Sequence, residues 1–328
     1  MRIIGIVAER LAYGVGLLVA VLVLNFFLIR LAPGDPVQFL IGEMGGASEE
    51  FIRDIRLSYG LDRPLFEQLG IYLSRAARGD LGRSYYYNAP VLELFMSRAG
   101  PTVLLIATAT LISLVAGTVL GVQSSRKPGG LFSAIVTVFS LIGYAAPVFW
   151  TGLLLVILFA SYMPIFPVQG MRNLSLQGSG YLVALDIGHH LVLPALTLSI
   201  IYMAQYSRLA RASMLEVLGS DYVRTARAKG VSETNVVFKH ALRNAILPII
   251  TITGLHFGQL LSGAVLVEAV FNWPGLGTLA YDSILRRDYP TILGLLFFAA
   301  IMVVIANVLT DLCYAWADPR IKTGRQAT

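Results

Sequence analysis

The residues able to bind metal or carry covalent chemistry are few and scattered. The histidines are His189, His190, His240 and His256, and the one cysteine is Cys313. Neighbouring helical residues point to different faces, so His189 and His190 make poor joint ligands and no metal site is expected. A single cysteine excludes an intrachain disulfide, and Cys313 is expected to fill apolar space. The patterns G-x-x-x-x-G-K-[ST], H-E-x-x-H, G-x-S-x-G and C-x-x-C are absent. No phosphate cradle, zinc site, hydrolase elbow or redox pair is therefore expected from those motifs. His256 and Gln259 are the candidate substrate-path residues. They lie in an apolar stretch where an ionisable side chain is by default functional, although His256 also fits a neutral packing role.

The elements that must position these residues follow from hydropathy. The chain has 328 residues, 56% of them hydrophobic and only 13% charged, with a net charge of +6. Soluble domains carry about 25% charged residues, so the chain is read as all-α and polytopic in a membrane. Residues 11–29, 99–125, 128–171, 187–207, 244–267 and 289–310 contain no Asp, Glu, Lys or Arg. Each can hold a helix of the roughly 20 residues that cross a bilayer. The third run is long enough for two. Basic residues gather at Arg2 and Arg10, at Arg126 and Lys127, between Arg208 and Arg243, and in the tail. Placing all four groups inside requires a single helix near 131–160, with Pro164 and Pro167 beyond its end. Six transmembrane helices with N-in/C-in orientation follow. The run 11–29 is longer than a signal-peptide core and lacks an A-x-A site, so a cleaved leader is not expected.

Residues 1–98 then form a first spanning helix plus an external helical cap, and 99–328 a five-helix core with a loop at 208–245. Within the cap, Ser48 with Glu49 and Glu50 resembles a helix start for Phe51, Ile55 and Tyr59. Pro64 can open another helix carrying Leu65, Leu69 and Leu73. Tyr85, Tyr86 and Tyr87 suit a membrane interface. G-x-x-x-G at Gly117/Gly121 and Gly254/Gly258 permits close helix packing.

The stretch DYVRTARAKGVSETNVVFKHALRNAILP at 221–248 is the basic exception in an apolar chain. Ser220 or Asp221 can cap a short helix that Gly230 ends with positive φ. Ala226 is small enough for another surface to approach. Ser232 can cap the next helix, with Val236, Val237, Ala241 and Leu242 on one side, and Pro248 falls near the next span. Arg224, Arg227 and Lys229 can meet acids on a partner. A membrane-anchored regulator with a basic helix-turn-helix is an alternative, but both ends are tied to spans, so no nucleic acid is expected. A secondary carrier is the other alternative, disfavoured because no carboxylate lies within the charge-free runs.

TARAKG at 225–230, running on to LP at 247–248, resembles the coupling loop of permease subunits of binding-protein-dependent ABC importers. Of the generic E-A-A triplet only Ala226 matches, since Arg224 and Thr225 occupy the first two places. RLAPGDP at 30–36, YGLDRPL at 59–65, RGDLGRS at 78–84, VFNWPGLG at 270–277, RDYP at 287–290 and ADPR at 317–320 resemble the dipeptide/oligopeptide/nickel branch, closest to its "B"-type permease. The resemblance implies a non-catalytic subunit with a type I ABC importer permease fold in the bacterial inner membrane. It implies as partners a second homologous permease subunit, two ATP-binding cassette subunits that hold ATP and Mg, a periplasmic or extracellular solute-binding protein and the lipid bilayer. Contact with an ATP-binding subunit is then expected from Asp221, Tyr222, Arg224, Thr225, Ala226, Arg227, Lys229 and Gly230. Peptides or similar small solutes would be moved by alternating access.

Overall fold

The computed structural model describes residues 2–31, 63–84, 86–173, 175 and 180–317, without the side chains of 2–11, 29–31, 251, 254–263, 306 and 309–317. The expected helix after Ser48, Tyr85, the basic tail, and the side chains of His256, Gln259, Gly254/Gly258 and Cys313 lie outside the described residues.

The described chain is helical. Its elements are α1 (Arg2–Leu31), α2 (Leu65–Ala77), α3 (Val91–Arg126), α4 (Leu131–Ala145), α5 (Val148–Val156) continued by a π-turn (Ile157–Tyr162), α6 (Gly180–Leu218) and α7 (Asp221–Ala228). After these come α8 (Glu233–Asn235), a second π-turn (Val236–Ala241), α9 (Leu242–Ala245), α10 (Leu247–Val270), α11 (Leu276–Leu285) and α12 (Tyr289–Ala317). Each of the six charge-free runs is thus helical over most of its described length. Among the described residues α3 and α6 are each long and apolar enough to cross a membrane, and shorter apolar stretches cover Ala12–Leu28 and Tyr289–Ile305.

The single helix expected near 131–160 is interrupted in the structure. It is two helices, α4 and α5, bent by 107°. Pro147 opens α5 and cannot supply an amide to continue α4, while Ala146 before it is extended, at φ −74° and ψ 132°. The helical run ends at Tyr162, ahead of Pro164 and Pro167.

The chain divides into two compact units, residues 1–99 with 279–304, and 100–278 with 305–328. In the first, Asn25 donates from Nδ2 to the Leu293 carbonyl at 3.1 Å, and Phe95 stacks on Phe298 with centroids 3.4 Å apart. Pro64 precedes α2 as expected, and Leu69 and Leu73 are half-buried while Leu65 stays exposed. Tyr86 lies under the Arg286 guanidinium at 3.7 Å, an ordered cation–π pair.

In the second unit α4, α5 and α10 all pack on α6, whose buried residues include Leu193, Leu198, Tyr202 and Ala210. Gly117 and Gly121 of α3 make a further close approach to α6. A Cβ on Gly117 would stand 2.8 Å from the Met203 carbonyl oxygen, and one on Gly121 2.5 Å from that of Ser207. This pair of glycines therefore does what its spacing permits.

Candidate functional site: the basic loop and a buried carboxylate

Three interactions hold the loop's bent shape. Gly230 sits at φ +78°, the left-handed region that glycine adopts without strain. Its N–H donates to the Arg227 carbonyl at 3.0 Å and the Val231 N–H to that of Ala226 at 3.2 Å. That pair of bonds is a Schellman termination, and the apolar contact that accompanies it is present: Val231 packs on a buried cluster of Val223, Ala226 and Val236. Across the turn, Arg227 donates from Nη2 to Glu233 Oε1 at 2.7 Å and from Nε to Oε2 at 3.1 Å. This two-pronged bond raises the Arg227 pKa and holds the Glu233 carboxyl below its usual value, each chiefly through the hydrogen bond to the other. Finally, Asn244 donates from Nδ2 to the Tyr222 hydroxyl at 2.8 Å. The apolar side of the following helical run is buried as its spacing predicts, at Val236, Val237 and Ala241.

The expected side-chain caps are corrected, and two of the expected contact residues already have partners within the chain. The surface that approaches Ala226 is the chain's own segment around Val236, so this residue is buried. Arg227 is already engaged by Glu233. Ser220 stands at the N-cap of α7, but its hydroxyl donates backward to the Val217 carbonyl at 2.6 Å, and Ser232 at the next start makes no capping bond either. Asp221, Tyr222, Arg224, Thr225, Lys229 and Gly230 are exposed, and Arg224 reaches Asp221 at 3.4 Å. The exposed face thus mixes one aromatic ring, three cations (Arg227, forked to Glu233, among them), one carboxylate and a hydroxyl on a short helix fixed from behind.

Both histidines of the adjacent pair are hydrogen-bonded within the chain. His189 Nε2 lies 2.9 Å from the Ile165 carbonyl, and His190 Nδ1 2.8 Å from that of Asp186. Among the described residues no group of His, Cys, Asp and Glu could hold a metal ion.

A second constellation escapes reasoning from the sequence. Glu268, in the last turn of α10, is fully buried. Its Oε2 accepts from the Gly277 and Thr278 N–H groups at 2.6 and 3.1 Å, and its Oε1 from the Thr102 hydroxyl at 2.6 Å. Thr102 Oγ1 in turn accepts from the Leu276 N–H at 2.7 Å, and the Trp273 indole N–H donates to the Pro101 carbonyl at 3.0 Å. The segment WPGLGT at 273–278 is thereby laced to α3 and α10. Its glycines have a reason: a Cβ on Gly275 would land on the Glu268 carboxylate, and one on Gly277 would stand 2.5 Å from Val265 Cα. The available signal was a carboxylate ending an apolar run just before a glycine-rich turn. In the first unit Asp288 plays a smaller version of this part. Its Oδ2 accepts from Thr291 Oγ1 at 2.7 Å and from Ser84 Oγ at 2.5 Å, at the start of α12.

Residues 109–323 match the family described as binding-protein-dependent transport system inner membrane component. A peptide permease protein of Brucella suis biovar 1 is 42% identical over 96% of this chain and 98% of its own length. The di/tripeptide transport system permease protein DppB of Pseudomonas aeruginosa is 39% identical over 97% and 99%. The oligopeptide transport system permease protein AppB of Bacillus subtilis is 38% identical over 96% and 98%. A helical chain with a rigid basic loop, matched over most of its length by that family and end to end by such relatives, belongs to the inner membrane components of binding-protein-dependent transport systems.

Proposed function

We propose that this chain is one of two homologous permease subunits of an ATP-driven importer for peptides or similar small solutes. It crosses the bacterial inner membrane six times with both termini inside, and residues 31–98 cap the outer face. An outer solute-binding protein delivers the solute. Two ATP-binding cassette subunits hold ATP and Mg and hydrolyse the nucleotide, so this chain contributes no catalytic group. The exposed face of 221–230, namely Asp221, Tyr222, Arg224, Thr225, Lys229 and Gly230, docks on one of them. Arg227, exposed beside them and forked to Glu233, belongs to the same docking segment, and the buried Ala226 holds that face in shape. His256 and Gln259 remain the candidates for the solute path.

The observation that carries this reading is the loop's internal bracing. A coupling element must move without deforming, and α7 is closed by a Schellman turn, an apolar cluster and the Arg227–Glu233 fork. Docking then depends more on fit than on charge, because exposed ion pairs contribute only about 0–1 kcal/mol each.

Gly230→Val tests it in proteoliposomes holding the whole importer. A Cβ at Gly230 would meet nothing within 4 Å, so the cost is purely one of backbone conformation. Strain of about 1–3 kcal/mol at φ +78° disfavours the bent form by roughly 5–150-fold. ATP-dependent peptide uptake should fall accordingly while the protein stays in the membrane, and Gly230→Asn should retain most of it. Normal uptake by Gly230→Val would refute the coupling role.

A further inference from the structure

We propose that the groove between α4 and α6 is a binding site for an anionic phospholipid, with the lipid phosphate held by Arg208 and Arg211. The placement rests on the orientation proposed above, in which this end of α6 faces the cytoplasm.

The groove is a built cavity of about 390 Å³. Its polar wall is made of Thr137, Ser140, Ser207, Arg208 and Arg211, and no acidic side chain lines it. Arg211 is aimed by its own chain: Nη1 donates to Thr137 Oγ1 at 3.1 Å and Nη2 to the Pro128 carbonyl at 3.3 Å. Its Nε is buried and makes no hydrogen bond among the described residues. One turn away along α6, Arg208 is exposed and stands 5.9 Å from the Tyr144 ring. Two guanidinium groups and three hydroxyls lining one groove, with no carboxylate among them, describe a phosphate site.

The rest of the groove suits acyl chains. Its apolar wall includes Val136, Leu141 and Leu215. A soluble phosphate needs no such wall, whereas a lipid uses both parts. The Pro128 carbonyl contact places Arg211 next to the Arg126–Lys127 turn, at the level where headgroups lie. Basic pockets between spanning helices on the cytoplasmic side attract anionic headgroups, by about 1 kcal/mol for each Lys or Arg near the surface. Two such cations predict roughly 30-fold preference over a zwitterionic lipid.

The test uses the purified full chain in nanodiscs of phosphatidylcholine with phosphatidylglycerol, and native mass spectrometry to count retained lipid. Wild type should retain phosphatidylglycerol with roughly 30-fold preference, and Arg208→Gln/Arg211→Gln should lose it. Lys239→Gln/Arg243→Gln, which removes two exposed cations outside the groove, should keep it. Among the described residues Arg208 makes no hydrogen bond or ion pair, only the 5.9 Å approach to Tyr144, so Arg208→Gln alone should weaken retention by itself. Excess inorganic phosphate should fail to displace the lipid. Equal retention by the Arg208/Arg211 variants would overturn the proposal. So would displacement by inorganic phosphate, which marks a small-anion site, or by a peptide, which assigns the groove to the solute path. The readout needs neither ATP nor transport, so its failure is distinct from failure of the permease function.

Discussion

Truncating Glu268 should unfasten the 273–278 turn. In Glu268→Ala the Gly277 and Thr278 amides lose their shared acceptor, Oε2, while the Thr102 hydroxyl can still rotate toward another partner. A buried donor stripped of its partner costs about 1–3 kcal/mol, so the two amides predict a loss of about 2–6 kcal/mol before any cavity is counted. Glu268→Gln separates geometry from charge. Its amide oxygen can replace Oε2 for both amides, and its NH2 can donate to Thr102 Oγ1, which has a second lone pair beyond the one facing the Leu276 N–H. The glutamine variant keeps an acceptor for both amides and should therefore lose less than alanine, about 1–2 kcal/mol. Reversible unfolding of the purified chain in mixed micelles, followed by tryptophan emission, reads the difference, because Trp273 is fully buried beside this site. The expected order of midpoints is wild type, then glutamine, then alanine. Alanine within about 0.5 kcal/mol of wild type, the usual scatter for inert surface changes, would refute the lacing.

Gly277→Ala should destabilise by about 1–3 kcal/mol, because its Cβ would press on Val265 Cα, a backbone atom that cannot rotate away. The same unfolding assay checks it, and an unchanged midpoint would contradict the packing. The Arg227–Glu233 fork makes loop order pH-dependent. The Glu233 pKa is lowered in the fold, so its contribution is full above the unfolded carboxylate pKa and is lost as pH falls through the folded value. Both side chains are about half exposed, so the effect is below about 1 kcal/mol. Protection factors at the Val231 and Val236 amides, in which the intrinsic slowing of exchange in acid is divided out, should fall on acidification in wild type and change less in Glu233→Gln.

Much of the fold was legible because apolar runs between charges must become helices in a bilayer, and the interrupting charges mark their ends. Gly230 was readable for a local reason: an abrupt helix end needs positive φ, and the residues that specify it are adjacent. Gly117 and Gly121 were readable as a pattern, though not the helix they would meet. What failed was either competitive or remote. Pro147 lay in an apolar run that length and charge balance favoured as one helix, and its missing amide decided otherwise. Ser220 had the right type for a cap but spent its hydroxyl on the preceding turn. The role of Ala226 depended on where the chain returned, and that return brought Val236 onto it. The partners of Glu268 include Thr102, separated by 166 positions, a pairing no local pattern contains.

The docking claim is tested most directly by a cysteine at Thr225, on the exposed side of α7, with Cys313 replaced by serine, in the assembled importer within native membranes. A short bis-maleimide linker should join residue 225 to a cysteine in the facing cleft of the ATP-binding subunit, with a yield that changes when ATP is added. Modification of residue 225 only by reagents supplied from the outer face, or no linkage in a complex that still imports solute, would contradict it.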